Sequence, residues 1–257
     1  MKYVFDELDK IKKTLTGKNI FLFLDYDGTL TSIVDHPDKA FLSDELKKIL
    51  LRLIRKPRFS VAIISGRSLK DIKKRVAIKQ ITYSGNHGLE IESPSFKFRN
   101  HVTASYKRKL GKIKKELQLA LSGFKGVFIE DKNLTLSVHY RLAGKKNIFG
   151  IRIAFHKIVK NYHEAKEIKV RTGKMVFEIV PAGKWNKGFA VLWIMGRPEF
   201  SKDNFFPLYI GDDITDEDAF RVLKKSGITV LVGYRKKSQA QFYLDNVSEV
   251  EKFAEQL

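Results

Sequence analysis

The 257-residue sequence contains no cysteine, which excludes disulfides, zinc–thiolate sites and thiol nucleophiles. Proline is sparse at six residues, methionine at three and tryptophan at two. No stretch approaches the roughly 20 consecutive apolar residues of a membrane-spanning helix. Internal repeats, linkers and low-complexity segments are also missing. Residues 1–10 form a charged amphipathic pattern unlike a signal peptide, so the expectation is a cytoplasmic protein with no membrane partner. Acidic residues are in short supply too. Twenty-nine Asp and Glu face 49 Lys and Arg, a formal charge of +20. Such a charge fits nucleic-acid binding. However, the lysines are spread through helical segments such as 107–115 and 145–160, with no RNP-type aromatic pattern, zinc finger or Gly-Arg tract. A solvated basic surface that steers anionic substrates is favoured over nucleic acid as partner.

Against this background one stretch stands out: Ile20-Phe-Leu-Phe-Leu-Asp25-Tyr26-Asp27-Gly-Thr-Leu. The apolar run reads as a strand buried on both faces, the kind found in parallel sheets. Asp25 and Asp27 stand two apart at its end, so in extended backbone they leave the same side. Two adjacent carboxylates stay ionised only when a cation or strong donors compensate them. Magnesium suits them, being hard, oxygen-seeking and content with one or two carboxylates plus phosphate oxygens. Open α/β sheets also bind ligands beyond the carboxyl ends of their strands.

A leading helix is expected over residues 3–16, and Ser43 caps a second helix that ends before Pro57. A second buried strand at 60–64 ends in Ser65-Gly66-Arg67-Ser68. That turn offers either a phosphate cradle with the charge of Arg67 or a plain helix cap at Ser68. Residues 81–91 form a strand and turn that cluster Asn86, His87 and Glu90 beside two glycines, a polar ligand surface. Residues 93–182 change character. A helix (103–122), two strands, a helix (146–163) and two strands give an α-β-β-α-β-β order, the mark of a small antiparallel sheet with helices on one face. The parallel pattern then returns, with Lys187-Gly188 opening a helix and a strand at 206–210 ending in Gly211-Asp212-Asp213-Ile-Thr-Asp216. This second acidic tip meets Asp25 around one metal if both halves share one sheet. The expected fold is α/β: a doubly wound, Rossmann-like parallel-sheet core (1–92 and 183–257) with an inserted α+β cap (93–182).

The tips Asp25-x-Asp27-Gly-Thr, Ser65, Lys187 and Gly211-Asp212-Asp213, in this order, resemble those of the haloacid dehalogenase-like phosphatases. The stretches Gly85-Asn-His-Gly-Leu-Glu90, His139-Tyr-Arg141, Glu178-Ile-Val-Pro and Gly211-Asp-Asp-x-Thr-Asp-Glu narrow the resemblance to the trehalose-6-phosphate phosphatases, over nearly the whole chain. The resemblance implies Asp25 as nucleophile and Asp27 as acid and base. It implies Mg²⁺ on Asp25, the Asp27 carbonyl and Asp212, with Asp213 and Asp216 behind them. Ser65 and Lys187 would bind the phosphoryl oxygens. Asp25, Tyr26, Asp27 and Arg67 would also bind substrate, and sugar recognition would fall to Asn86, His87 and Glu90 of the core and Lys132, His139, Arg141, Lys174 and Glu178 of the cap. A separate trehalose-6-phosphate synthase would supply the substrate. Two alternatives stand beside this reading. One is a phosphatase of sucrose-6-phosphate, mannosyl-3-phosphoglycerate or glucosylglycerol phosphate. The other is a basic nucleic-acid-binding protein on a phosphatase scaffold.

Overall fold

The chain opens with a two-residue strand, β1 (Lys2–Tyr3), and helix α1 (Leu8–Leu15), before the apolar run forms β2 (Ile20–Leu24). Helix α2 (Asp44–Ile54) follows, its start fixed by Ser43, whose hydroxyl accepts the Leu46 N–H at 3.1 Å. Next come β3 (Phe59–Ile64), α3 (Leu69–Val76), β4 (Thr82–Gly85), β5 (Glu90–Glu92) and β6 (Lys97–Arg99). After them come α4 (Ala104–Leu121), β7 (Phe128–Asp131), β8 (Leu136–His139), α5 (Ile148–Glu164), β9 (Ile168–Gly173) and β10 (Val176–Pro181). The chain closes with α6 (Lys187–Met195), α7 (Pro198–Ser201), β11 (Phe206–Gly211), α8 (Glu217–Leu223), β12 (Ile228–Val232), β13 (Phe242–Leu244) and α9 (Val247–Glu255). This computed structural model describes residues 1–201 and 204–257. Among the described residues no helix is long and apolar enough to cross a membrane.

Two compact units result, Met1–Arg99 with Trp185–Leu257, and Asn100–Lys184. The larger holds a sheet in the order β1-β13-β12-β11-β2-β3-β4-β5-β6. Its pairings are parallel from β1 through β4 and antiparallel for β5 and β6. The period of two in β2 explains why both faces are covered. Ile20, Leu22 and Leu24 pack with residues of α1, α2, α3 and α9, whereas Phe21 and Phe23 pack with those of α6 and α8. Strand β2 lies between β3 and β11, with Leu24 opposite Ile63 on one side and Ile210 on the other. The chain leaves β2 toward one side and returns on the other, which is a topological switch point.

The smaller unit is a four-stranded antiparallel sheet, β7-β8-β10-β9. Leu136, Val138, Phe177 and Ile179 meet Leu110, Ile113 and Leu117 of α4 and Ile151, Phe155 and Val159 of α5 in its core. By alternation Ser137, His139 and Glu178 take the opposite face.

Two expectations are corrected. The inserted module was expected from residue 93, but β6 pairs with β5, so residues up to Arg99 stay with the large sheet. The leading helix is shorter than 3–16, because Lys2 and Tyr3 pair in parallel with Phe242 and Tyr243. That partner, β13, has only three residues and carries no periodic signal long enough to read.

Candidate active site

Asp25 follows the last residue of β2, and its backbone N–H still donates to the Ile210 carbonyl at 2.9 Å. Its side chain is therefore held at the rim of three strands. Lys187, the first residue of α6, is placed by Asn186, whose side chain caps the helix by accepting the Phe189 N–H at 2.9 Å. The Lys187 Nζ donates to Asp25 Oδ1 and to Asp216 Oδ1, both at 2.7 Å. Asp216 also accepts the Tyr209 hydroxyl on Oδ1 at 2.6 Å. Its Oδ2 accepts the N–H groups of Asp212 and Asp213 at 3.1 and 2.9 Å.

Burial disfavours the Lys187 ammonium, but Asp216 and then Asp25 outweigh it and hold its pKa well above the ordinary lysine range. Burial likewise pushes the Asp25 carboxyl well above the usual range, against the pull of Lys187 and with the repulsion of Asp216 and Asp212 added. Both shifts express one imbalance. Asp25, Asp212 and Asp216 offer carboxylate oxygens within 4.8 Å of one another, all three residues buried. Three carboxylates with one ammonium leave two negative charges uncompensated, the charge a hard divalent cation neutralises. The main chain is shaped for this arrangement at Gly28 (φ 92°), where a Cβ would stand 2.1 Å from Asp212 Oδ2. Asp216 already receives four donors, so Asp25 and Asp212 are the carboxylates left to a metal. Asp213 is half-buried and accepts the Ile214 N–H at 2.7 Å, outside the trio.

Ser65 follows the last residue of β3 and is buried. Its loop is clamped by the next one: the Asn86 N–H donates to the Arg67 carbonyl at 2.7 Å and the His87 N–H to the Ser65 carbonyl at 2.9 Å. Asn86 and His87 reach these bonds in left-handed backbone (φ 51° and 55°). A Cβ at Gly66 would stand 2.6 Å from the His87 ring. His87 thus seats the Ser65 turn. Asn86 is buried and donates from Nδ2 to Glu90 Oε2 at 2.8 Å, and Arg99 approaches Glu90 Oε1 at 3.3 Å. Of the two readings of the turn at 65–68, the helix cap is present: Ser68 caps α3 by accepting the Asp71 N–H at 3.2 Å.

Arg67 is engaged within the protein. Its guanidinium grips Asp27 through Nε (2.7 Å to Oδ2) and a terminal nitrogen (2.6 Å to Oδ1), and further contacts reach Asp71 and the Pro37 carbonyl. Tyr26 is corrected as a side-chain contact to substrate. Its ring is fully buried, and its hydroxyl donates to the Ala40 carbonyl at 3.1 Å. Burial pushes its phenol up to about 12.

In the smaller unit Lys132 Nζ and Ser137 Oγ both donate to Glu178 Oε1, at 3.0 and 3.1 Å, and all three residues are buried. His139 stacks on Phe128 and lies 2.9 Å from Glu130 Oε2. By cross-strand register Glu130, Ser137 and Glu178 lie side by side. Strand β8 ends at His139, and beyond it Arg141 donates to the exposed Lys174's carbonyl at 2.7 Å. Sequence reasoning missed Ser137 and Tyr209. A phenol inside an otherwise apolar, doubly covered strand requires a polar partner, and that was the available signal for Tyr209.

The trehalose-phosphatase family model matches residues 23–248. Trehalose-phosphate phosphatase B of Arabidopsis thaliana is 33% identical over 262 residues, 97% of this chain and 69% of that protein. Trehalose-phosphate phosphatase of Mycobacterium tuberculosis is 33% identical over 249 residues, 95% of this chain and 62% of that one. Among solved structures, the C-terminal domain of the C. albicans trehalose-6-phosphate phosphatase is similar at a TM-score of 0.84 and 27% identity, covering 96% of this chain and 94% of that one. The acidic strand tips, the lysine that joins them and these matches along nearly the whole sequence lead to one statement: the chain belongs to the trehalose-phosphatase family.

Proposed function

We propose that the chain hydrolyses trehalose 6-phosphate to trehalose and phosphate through an aspartyl-phosphate on Asp25. The observation that carries the mechanism is the Lys187 Nζ at 2.7 Å from Asp25 Oδ1, beside the Asp212 carboxylate. Asp25 attacks phosphorus with a carboxylate oxygen, and the bond from phosphorus to the sugar oxygen breaks. Asp27 gives the leaving sugar oxygen a proton, then takes one from the water that attacks the phosphoenzyme, so phosphate leaves and Asp25 is restored. In the form described above Arg67 clasps both oxygens of Asp27. Proton delivery therefore requires Asp27 to leave the guanidinium, and the substrate phosphate is a competing anion for it. Ser65 and Lys187 orient phosphoryl oxygens and offset their charge.

Mg²⁺, held by Asp25, Asp212 and the Asp27 carbonyl, would supply positive charge to the phosphoryl group. We read the Asn100–Lys184 unit as the cap that selects the sugar, with Glu178, Lys132 and Ser137 as its hydrogen-bonding centre. A disaccharide presents many hydroxyls, and a site built of paired donors and acceptors rejects one that leaves them unmatched.

The test is phosphate release with Mg²⁺ from trehalose-6-phosphate, sucrose-6-phosphate, glucose-6-phosphate and mannosyl-3-phosphoglycerate, with an EDTA control. An EDTA-sensitive preference for trehalose-6-phosphate is expected. Preference for another sugar would overturn the substrate and leave the chemistry standing. Silence on every sugar phosphate, with retention on DNA or RNA instead, would overturn the enzymatic reading.

A further inference from the structure

We infer that Tyr209 is a positioning residue of the phosphoryl transfer: its hydroxyl fixes Asp216 as the counter-ion of Lys187 and so holds the ammonium against Asp25. This rests on the roles of Asp25 and Lys187 proposed above. A carboxylate has about four lone-pair sites, and Asp216 fills them with Tyr209, Lys187 and the N–H groups of Asp212 and Asp213. So engaged, it neither rotates nor turns toward a cation. Two of the four donors belong to the backbone of the loop itself, and a third is the lysine being positioned. The phenol is the one donor contributed by a separate element solely to orient Asp216.

Tyr209 is itself immobile. It lies within β11 with no exposed surface, its ring stacked toward Phe23 (6.4 Å) and edge-on to Phe220 (5.7 Å). Phenylalanine would satisfy every one of these packing contacts, so the hydroxyl is left with one task, the 2.6 Å bond to Asp216 Oδ1. A hydrogen bond to a charged acceptor is among the stronger kinds, and here it competes directly with any movement of the oxygen that Lys187 shares.

The experiment compares Tyr209→Phe, Asp216→Asn and the double variant by steady-state kinetics on trehalose 6-phosphate with Mg²⁺. It also uses the ¹H–¹⁵N signal of the Lys187 ammonium, recorded without substrate or metal. Tyr209→Phe is expected to lower kcat about tenfold with KM within about twofold, the mark of an interaction realised in the transition state. Asp216→Asn should cost about a hundredfold or more, and adding Tyr209→Phe to it should cost nothing further, because the two residues act as one unit. The ammonium signal should be visible in the wild type and lost to exchange in both single variants. Unchanged kcat in Tyr209→Phe, losses that multiply, a wild type without the signal, or a signal that survives Tyr209→Phe would each overturn the inference. A protein inactive on every sugar phosphate would instead refute the functional reading, while the ammonium signal would still decide the role of Tyr209.

Discussion

Asp25→Asn removes a negative charge and a nucleophile while keeping shape and volume. Turnover of every phosphate ester should disappear, with the thermal midpoint unchanged or raised, since one of three crowded carboxylates is neutralised. Phosphate release and a melting curve check both halves. Glu178 yields a different pattern. Glu178→Ala should cut kcat/KM for trehalose 6-phosphate about a hundredfold and for p-nitrophenyl phosphate less than about threefold, because a minimal ester has no sugar to read. Equal losses on both esters would remove Glu178 from sugar recognition. The paired carboxylates at the tip of β2 were legible because an apolar strand that stops at alternating aspartates has little other physical explanation. Tyr26 was misread for the same geometric reason: the middle residue of such a triplet faces the opposite side from its neighbours. Tyr209 was illegible as a functional residue because a phenol in a buried strand looks like core until its partner is located.

At the scale of elements, α3 and the loop after β2 are joined by a small ionic clip. Asp71 accepts from Arg67 and Arg75, each at 2.8 Å, and Arg75 in turn donates to the carbonyls of Asp38 and Ala40. Burial raises the Asp71 carboxyl, but its hydrogen bonds to Arg75 and Arg67 prevail and hold it below the ordinary aspartate range. A carboxyl depressed in the folded state contributes stability that is complete above the unfolded pKa of about 3.9. That contribution is lost as pH falls further, through the folded value. Asp71→Asn should therefore cost about 1.5 kcal/mol at pH 7 and less at pH 2. Urea unfolding of both proteins at the two pH values measures this, and an equal deficit at both would assign the loss to packing. Element types and order were readable from period and caps, as Ser43 and Ser68 illustrate. Very short strands such as β1, β5, β6 and β13 were not read as such, since two or three residues cannot display a period. Their pairing is decided by the sheet they join.

Charge is unevenly shared across the whole molecule. The Asn100–Lys184 unit has 19 Lys and Arg against 6 Asp and Glu, so it carries +13 of the +20 in a third of the chain. A field of that sign accelerates encounter with a phosphate dianion and is screened within about 10 Å at 0.1 M salt. Raising NaCl from 0.05 to 0.5 M should lower kcat/KM severalfold and leave kcat nearly unchanged. A flat kcat/KM would mean that the lysines serve some other purpose. The sum of the charge was plain in the composition, but its concentration in one unit depended on knowing where that unit ends, and β6 moved that boundary.

The sheet order carries one more consequence, for synthesis on the ribosome. Strand β2 gains its first neighbour, β3, within about 40 residues, but the other edge waits for β11, roughly 180 residues later. At about 5–20 residues per second the wait is on the order of 10–40 s. Throughout it Ile20–Leu24, five apolar residues in a row, presents unpaired N–H and C=O groups along one side, the kind of edge on which chains aggregate. The strand that carries Asp25 is therefore also a vulnerable segment of the nascent chain, and slowing elongation or withholding chaperones should reduce the soluble yield before it affects any property of the finished enzyme.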